Sequence, residues 1–505
     1  RIIKPPTSLT LNSRRMMSDI IEADRLEESV TEGIGIPADE SGGIQAFLVE
    51  PTAIEATGVA VLVSEEEEER VEKCSYVRKG IMFTCIATAI VVALAVPLMF
   101  VERPVSVEVS PTAIPTFTPS PMPTPITYAD IIDVLFPVSG TAILEPGTPQ
   151  FLALDWIARE GTANLPYSSS RFVQRYALAV IYFSTNGGNW IECSAGGACP
   201  FGSPWLGADD FCSWGGIFCS DDVNISTINL GRSTGNGLVG TLPSELSQIR
   251  TLNGLQIENN KISGTIPSEL ALIPSFFELV AGKNSLENPL PPELLSKSTM
   301  KILTLEENNF KGPLPDISSM TSLQMLSLFG NAFTGTIPSY YGTLDGLSLL
   351  YLSNNDLTGT IPYQLGDMPS LAEFLLQDNS LTGTLPAELL ALGSLHTINV
   401  SDNFLSGKIS NSIEFMGSDI RERKRRSIRL SKNQFSGTLP TGIGNVPDLT
   451  ELLLDHNDFS GEMPESVCQL ETSESTRTFK LRYLTSDCSS LDCTCSAACR
   501  CSVQS

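Results

Sequence analysis

Basic residues are in short supply: 32 Lys and Arg stand against 57 Asp and Glu in 505 residues, a formal net charge of −25. A surface that tracks nucleic-acid phosphates needs clustered Lys and Arg, so a general nucleic-acid-binding role is excluded. Histidine is almost missing, with His396 and His456 alone. No nucleophile or second ligand falls in register with either, and both are read as surface histidines. There is no Ser–His–Asp order, no carboxylate pair of distinctive context and no phosphate loop, which argues against an enzyme, a cofactor or a metal. Cysteine is absent between Cys219 and Cys468. Of the twelve, Cys74 and Cys85 lie early, and ten cluster on either side of that gap: Cys193, Cys199, Cys212 and Cys219 before it, and Cys468, Cys488, Cys493, Cys495, Cys499 and Cys501 after it. Even-numbered clusters flanking a cysteine-free interval read as disulfide-stapled caps, which form in an oxidising compartment. Zinc ligation by the last four is the weaker alternative there.

Residues 1–79 carry 16 Asp or Glu against nine Lys or Arg, including the run Glu65–Glu69, without a sustained period of 2 or 3.6. They read as a disordered acidic segment. The chain opens at Arg1 rather than Met, and Met16 or Met17 is the expected start. Residues 80–101 read as a transmembrane helix. Their core, Ile81–Val101, is 21 uncharged residues, about 32 Å of helix against a hydrocarbon thickness of roughly 30 Å. Arg70, Lys73, Arg78 and Lys79 precede the span and only Arg103 closely follows it. The positive-inside rule then leaves the N-terminus cytoplasmic and everything after Val101 outside: a single-pass type II protein held by a signal-anchor. Cys74, beside the span, is a candidate for palmitoylation. Seven prolines from Pro104 to Pro125 lie among Ser and Thr. Residues 102–126 thus form an extended stalk of roughly 60–70 Å.

From Ile225 onward the chain repeats. Leu252, Leu255, Ile257, Asn260, Ile262, Gly264, Ile266 and Pro267 spell out L-x-x-L-x-L-x-x-N-x-L-x-G-x-I-P. The Asn recurs at 284, 308, 331, 355, 379, 403, 433 and 457, with a looser first copy at Asn236. Ten copies at a period near 24 residues identify a solenoid. Its two apolar L-x-L residues enter the core while those between them face out, because strand side chains alternate. The Asn turns the chain and satisfies backbone groups that the bend leaves unpaired. Stacked strands about 4.8 Å apart then make a parallel sheet lining a concave face.

The G-T-[IL]-P ending, as in Gly240–Pro243, Gly359–Pro362 and Gly437–Pro440, resembles the plant-type leucine-rich repeat (LRR). Cys212–Cys219, of the form C-x-W-x-G-[VI]-x-C, is similar to the plant-type N-terminal cap, and the resemblance implies that these two cysteines pair. Pro149–Trp156 and Arg175–Ala179, followed by Tyr182 and Trp190, look like the helical pre-cap of predicted single-pass transmembrane LRR proteins of diatom-like algae. The Cys-rich tail also resembles theirs. The likeness spans residues 127–505 and departs at Asn288 (Gly expected), at Ser410 (Pro expected) and in six extra residues before Asn433. It implies an α/β fold, a right-handed LRR solenoid with disulfide caps, laid out as pre-cap and cap at 127–224, solenoid at 225–464 and C-terminal cap at 465–505. Plant LRR receptor kinases carry a cytoplasmic kinase, which residues 1–79 cannot hold.

The outward positions of the central strands are where a ligand is expected. Met325, Phe329, Leu349, Tyr351 and Leu375 fall on three consecutive strands and should make one apolar patch about 10 Å wide. Glu306, Glu307, Glu373 and Asp378 rim it, the anatomy of a protein interface. Arg421, Arg423, Lys424, Arg425 and Arg426 lie in the insertion and read as a solvated loop on the convex side, ahead of a polyanion site or a cleavage site. Asn224 and Asn399 are glycosylation acceptors, the latter pointing outward on the concave face. These features lead to the expectation of a membrane-anchored surface protein that binds a protein or peptide, as co-receptor, decoy or adhesion molecule. The alternatives are a structural protein holding cell-wall polysaccharide and an enzyme-inhibitor-type LRR protein.

Overall fold

The computed structural model describes residues 128–161, 165–166, 169–419, 424–470, 481–487, 491–492 and 499–501. The expected acidic segment, membrane span and stalk lie outside the described residues, as do Cys488, Cys493 and Cys495. Among the described residues no helix is long and apolar enough to cross a membrane. The chain divides into two units, Arg1–Pro123 and Thr124–Ser505, and every described residue belongs to the second.

Three helices open that unit: α1 (Tyr128–Ser139), α2 (Pro149–Trp156) and α3 (Ser170–Ser184). Thr148 caps α2 by accepting from the Phe151 N–H, and Pro149 takes the first turn, where a missing N–H costs nothing. Helix α3 is buried from Gln174 to Tyr182, Arg175 included. That guanidinium lies 5.3 Å from the Trp156 ring and 4.8 Å from the Trp214 ring, and donates to the carbonyls of Gly207 and Asp209. Cation–π contact and hydrogen bonds together make a buried charge tolerable. Beyond α3, Cys193–Cys199 and Cys212–Cys219 are bonded, the second as the family resemblance implies. Cys468 is disulfide-bonded as well.

Among the described residues the long sheet has thirteen strands. They are β1 (Ile217–Ser220), β2 (Asn224–Asn229), β3 (Gly254–Gln256), β4 (Glu278–Val280), β5 (Ile302–Thr304), β6 (Met325–Ser327) and β7 (Leu349–Tyr351). Then come β8 (Glu373–Leu375), β9 (Thr397–Asn399), β10 (Arg426–Arg429), β11 (Leu449–Leu453), β12 (Tyr483–Ser486) and β13 (Cys499–Cys501). Only β1 and β2 pair antiparallel; from β2 onward each strand pairs parallel with the next coil. Shorter ladders run along the opposite edge, one of seven strands from Lys311–Pro313 to Asp458–Phe459. Between the two lies a continuous core: Leu326, Leu328, Leu350 and Leu352 are fully buried, and the Phe310 and Phe333 rings stack 6.3 Å apart.

Adjacent coils are joined by the repeat asparagines. Asn355 donates through Nδ2 to the carbonyls of Leu328, Leu352 and Ser353 at 3.0–3.2 Å and accepts from the Phe333 N–H at 3.0 Å. One side chain thereby satisfies four backbone groups from two coils, and it is nine-tenths buried. On the other edge the glycine of G-T-[IL]-P has φ of +76° at Gly359 and +81° at Gly383. A Cβ there would stand 2.8 Å from the Thr336 and Thr360 methyls respectively, so each coil's threonine covers the next coil's glycine.

The departures from the repeat are absorbed locally. Asn288 exchanges hydrogen bonds with the Lys311 backbone through its side chain. Ser410 takes the φ of −69° that Pro338 has, and accepts from the Ser412 N–H. Six residues are added before Asn433, yet its Nδ2 still reaches Val400 O at 2.8 Å and its Oδ1 still takes the Leu405 N–H at 2.9 Å. The insertion is thus accommodated upstream of β10. Arg426, expected in a solvated convex loop, instead opens β10 as a buried residue, donating to Gly417 O at 2.8 Å. Lys424 Nζ stands 3.5 Å from His396 Nε2, while Arg421 and Arg423 lie outside the described residues.

Candidate functional site

The face of the long sheet opposite the core is the one expected to be concave. Parallel register sets its side chains in rows. Met325, Leu349 and Glu373 stand side by side on β6, β7 and β8, and so do Ser327, Tyr351 and Leu375. Phe329 follows one residue beyond the inward Leu328. The register therefore brings the apolar residues together, in a form the sequence did not suggest. Met325 is 9% and Tyr351 5% exposed, while Leu349, Leu375, Phe329 and Glu373 are partly exposed. Strands about 4.8 Å apart press neighbouring outward side chains against each other, so a large ring here is walled in by its neighbours. Tyr351 also donates from Oη to Glu373 Oε2 at 2.6 Å, placing the carboxylate within the patch rather than on its rim. Glu307 and Asp378 are exposed as expected of a rim.

Glu306 behaves differently. Its side chain folds back over Gly282, where an added Cβ would meet Oε1 at 2.4 Å. Burial pushes its carboxyl up to about 7, and the negative charges of Glu258 and Glu307 push the same way. Two coils earlier, Glu258 lies over Gly231 in the same manner. Between them Glu278 accepts from Gln256 Nε2 at 2.6 Å, and Gln256 in turn accepts from Asn229 at 2.6 Å. Burial raises Glu258 and Glu278 too. Glu258 Oε2, Glu306 Oε2, Thr304 Oγ and Ser327 Oγ are buried without a hydrogen-bond partner, as is Gln377 Oε1 farther along. Ser327 lies near enough to Glu306 to favour its anion slightly, but not at hydrogen-bonding geometry. Glu258, Glu278, Thr304 and Ser327 escaped the sequence reading because outward hydrophobes were sought. The signal was present in the acidic and hydroxyl residues at the same outward positions.

Toward the C-terminal cap the charges are paired. Glu451 accepts from Arg429 at 2.9 Å and from Ser427 at 2.6 Å. Burial would raise the Asp455 carboxyl, but hydrogen bonds from Thr485, Ser431 and His456 outweigh it and hold the group below its ordinary value. His456 is exposed, whereas His396, expected at the surface, is buried against Thr397. Asn399 faces outward but is only 5% exposed and accepts from the Ser401 N–H, so the folded structure offers its amide little of the access a glycan needs. Asn224 is partly exposed at the start of β2.

Along the opposite edge runs a shallow groove of about 950 Å³, lined by Thr336, Thr360, Thr384, Tyr363, Glu388 and Lys408 among others. Tyr363 is 60% exposed there. Among the described residues no group of three or more His, Cys, Asp or Glu could hold a metal ion.

The family described as Leucine Rich Repeat matches residues 346–368 and 448–470. Among solved structures, a plant ice-binding protein has 22% identity and a TM-score of 0.52, over 66% of this chain and 99% of its own. The LRR ectodomain of the Arabidopsis thaliana membrane receptor kinase GASSHO1/SCHENGEN3, in complex with CASPARIAN STRIP INTEGRITY FACTOR 2, has 29% identity and a TM-score of 0.48, over 55% of this chain and 32% of its own. The plant peptide hormone receptor RGFR1 in complex with RGF2 has 27% identity and a TM-score of 0.44, over 52% of this chain and 44% of its own. The chain thus spans a third to under a half of the length of these two receptors. No curated protein matches.

Proposed function

We propose that this LRR protein binds a protein or peptide ligand on the face of its long sheet, and presents that face outside the cell from a type II anchor at residues 80–101. The observation that carries the reading is the register of β6, β7 and β8, which sets Met325, Leu349, Tyr351 and Leu375 in two adjoining rows beside exposed acidic residues. An apolar centre with a polar rim excludes water from the contact and leaves charges where they stay solvated. The role proposed is that of a co-receptor, decoy or adhesion protein. The likeness of the pre-cap to algal transmembrane LRR proteins supports the anchored arrangement, as do the disulfides, which belong to an oxidising compartment.

A photo-reactive amino acid at Leu375, in full-length protein on intact cells, should form an adduct with a surface protein. Absence of that adduct, with adducts only from Tyr363 in the opposite groove, would reject this face. The groove favours a second reading, binding of wall polysaccharide, because an exposed aromatic ring among aligned hydroxyls suits a sugar; glycan-array binding lost on Tyr363→Ala would select it. Protease added to intact cells should remove the repeats and spare an N-terminal tag, and protection of the repeats would reverse the topology.

A further inference from the structure

The outward face over β3 to β6 carries more acceptors than donors, with Gln256 the donor already committed to Glu278. Thr304 and Ser327 are 2% and 1% exposed, each flanked in sequence by two fully buried leucines that enter the core, so their hydroxyls face the opposite way. Thr304 Oγ1 has no partner, and Ser327 Oγ lies near Glu306 without a well-aligned hydrogen bond. Thr304 and Ser327 are adjacent across the β5–β6 pair, and Glu306, two residues beyond Thr304, presents its own unpartnered Oε2 on the same side. Glu258 repeats that motif two coils away. A buried polar group without a partner is costly, and a cluster of them marks a place where something else supplies the hydrogen bonds. Carboxylate oxygens accept only, and hydroxyls can accept as well, so the missing component is a donor with positive charge. The other charges facing Glu306 are those of Glu258 and Glu307, while Lys283 is held by Glu307 at 3.7 Å. Among the described residues no ion pair joins a cation to Glu306. After residue 79, 41 Asp and Glu (57 less 16) stand against 23 Lys and Arg (32 less nine), and this excess favours the approach of a basic ligand.

We infer that the Glu306, Thr304 and Ser327 cluster, continued toward Glu258, binds the guanidinium or ammonium group of a basic peptide. This rests on the reading of the long-sheet face as the ligand surface and adds the chemistry of the partner. The cation is held by the ionised form of Glu306, so binding releases a proton below the carboxyl's raised pKa and strengthens as pH rises through about 7. If only the ionised form is competent, apparent affinity should be about tenfold weaker at pH 6 than at pH 8.

The test uses the full chain in detergent micelles and calorimetric titration with acetyl-Gly-Arg-Gly-amide at millimolar concentration, beside its neutral citrulline counterpart. The arginine peptide should bind, about tenfold more weakly at pH 6 than at pH 8, and the citrulline peptide at least tenfold more weakly than arginine. Glu306→Gln should weaken arginine binding at least tenfold and remove its pH dependence; Thr304→Val and Ser327→Ala, which keep the packing, should weaken it several-fold. Glu388→Gln in the opposite groove should change nothing. No heat from the arginine peptide, equal binding of citrulline, or unaltered binding by Glu306→Gln would each overturn the inference. A cell-surface partner lost on Leu375→Lys but kept on Glu306→Gln would leave the interface standing and sink the cation site. A partner kept on both would sink the interface itself.

Discussion

Glu306→Gln should stabilise the protein at alkaline pH and leave it nearly unchanged in acid. The folded structure holds the Glu306 proton up to about pH 7, whereas the ordinary value for such a carboxyl is 4.5. Between those two pH values the folded state binds more proton than the unfolded chain, so stability falls as pH rises through that window and stays lower above it. At 1.36 kcal/mol per pH unit the full loss is about 3 kcal/mol, and partial solvent contact of the side chain reduces it to roughly 1–3 kcal/mol. Glutamine matches the protonated acid in shape and cannot ionise, so its advantage should open only above pH ~5. A repeat array need not unfold in one step, so a local measurement is preferable. Hydrogen exchange of the amides in β4 and β5, read for both proteins at pH 5 and pH 8 and corrected for intrinsic rates, gives that opening free energy. An advantage of the same size at both pH values would show that Glu306 is not the buried acid described, and a lower stability at pH 8 would reverse the sign of the argument.

Asn379→Ala removes hydrogen bonds to the carbonyls of Leu352, Leu376 and Gln377 and from the Leu357 N–H, and should cost about 3–5 kcal/mol, seen as faster exchange in the two coils it joins. Gly383→Ala sets a methyl 2.8 Å from Thr360 Cγ2 at a φ of +81°, and should cost about 1–3 kcal/mol; Thr360→Ser in the same chain should recover only the steric share. Losing the Cys212–Cys219 bond should cost about 2–3 kcal/mol, read from the unfolding of the N-terminal cap. Because Tyr351 is nearly buried, Tyr351→Ala should destabilise by about 3–5 kcal/mol, whereas Tyr351→Phe, losing only the bond to Glu373, should cost under about 2 kcal/mol; equal effects would place the ring in solvent.

The repeat itself was legible because its physics is one-dimensional. Each L-x-L leucine is buried for a reason that lies within a few residues, and each Asn bonds to coils whose position the period fixes. The lateral crowding of Tyr351 was not legible. It depends on what stands at Ser327, Glu373 and Leu375, residues 22–24 positions away, and a rule that sorts side chains into inward and outward treats every outward one as exposed. The same blindness placed His396 and Asn399 at the surface, though neighbouring strands cover both. Arg426 was grouped with the run Arg421–Arg425 by adjacency, but the strand begins at that residue and takes its side chain inward. The acidic cluster was visible letter by letter, and its meaning was not, since an acid on a strand is unremarkable until its carboxylate is seen to lie over a glycine with one oxygen left unpartnered.

The six added residues before Asn433 leave the asparagine bonds on both sides intact, which separates two properties that globular folds entangle. The circumference of a coil can grow at that corner while the stacking along the axis keeps its pitch. Foreign segments should therefore be accepted between Asp419 and Lys424 without disturbing the rows of outward side chains on β6, β7 and β8. Descendants of this chain could diversify their reach at the corner and their selectivity on the sheet, each at its own pace.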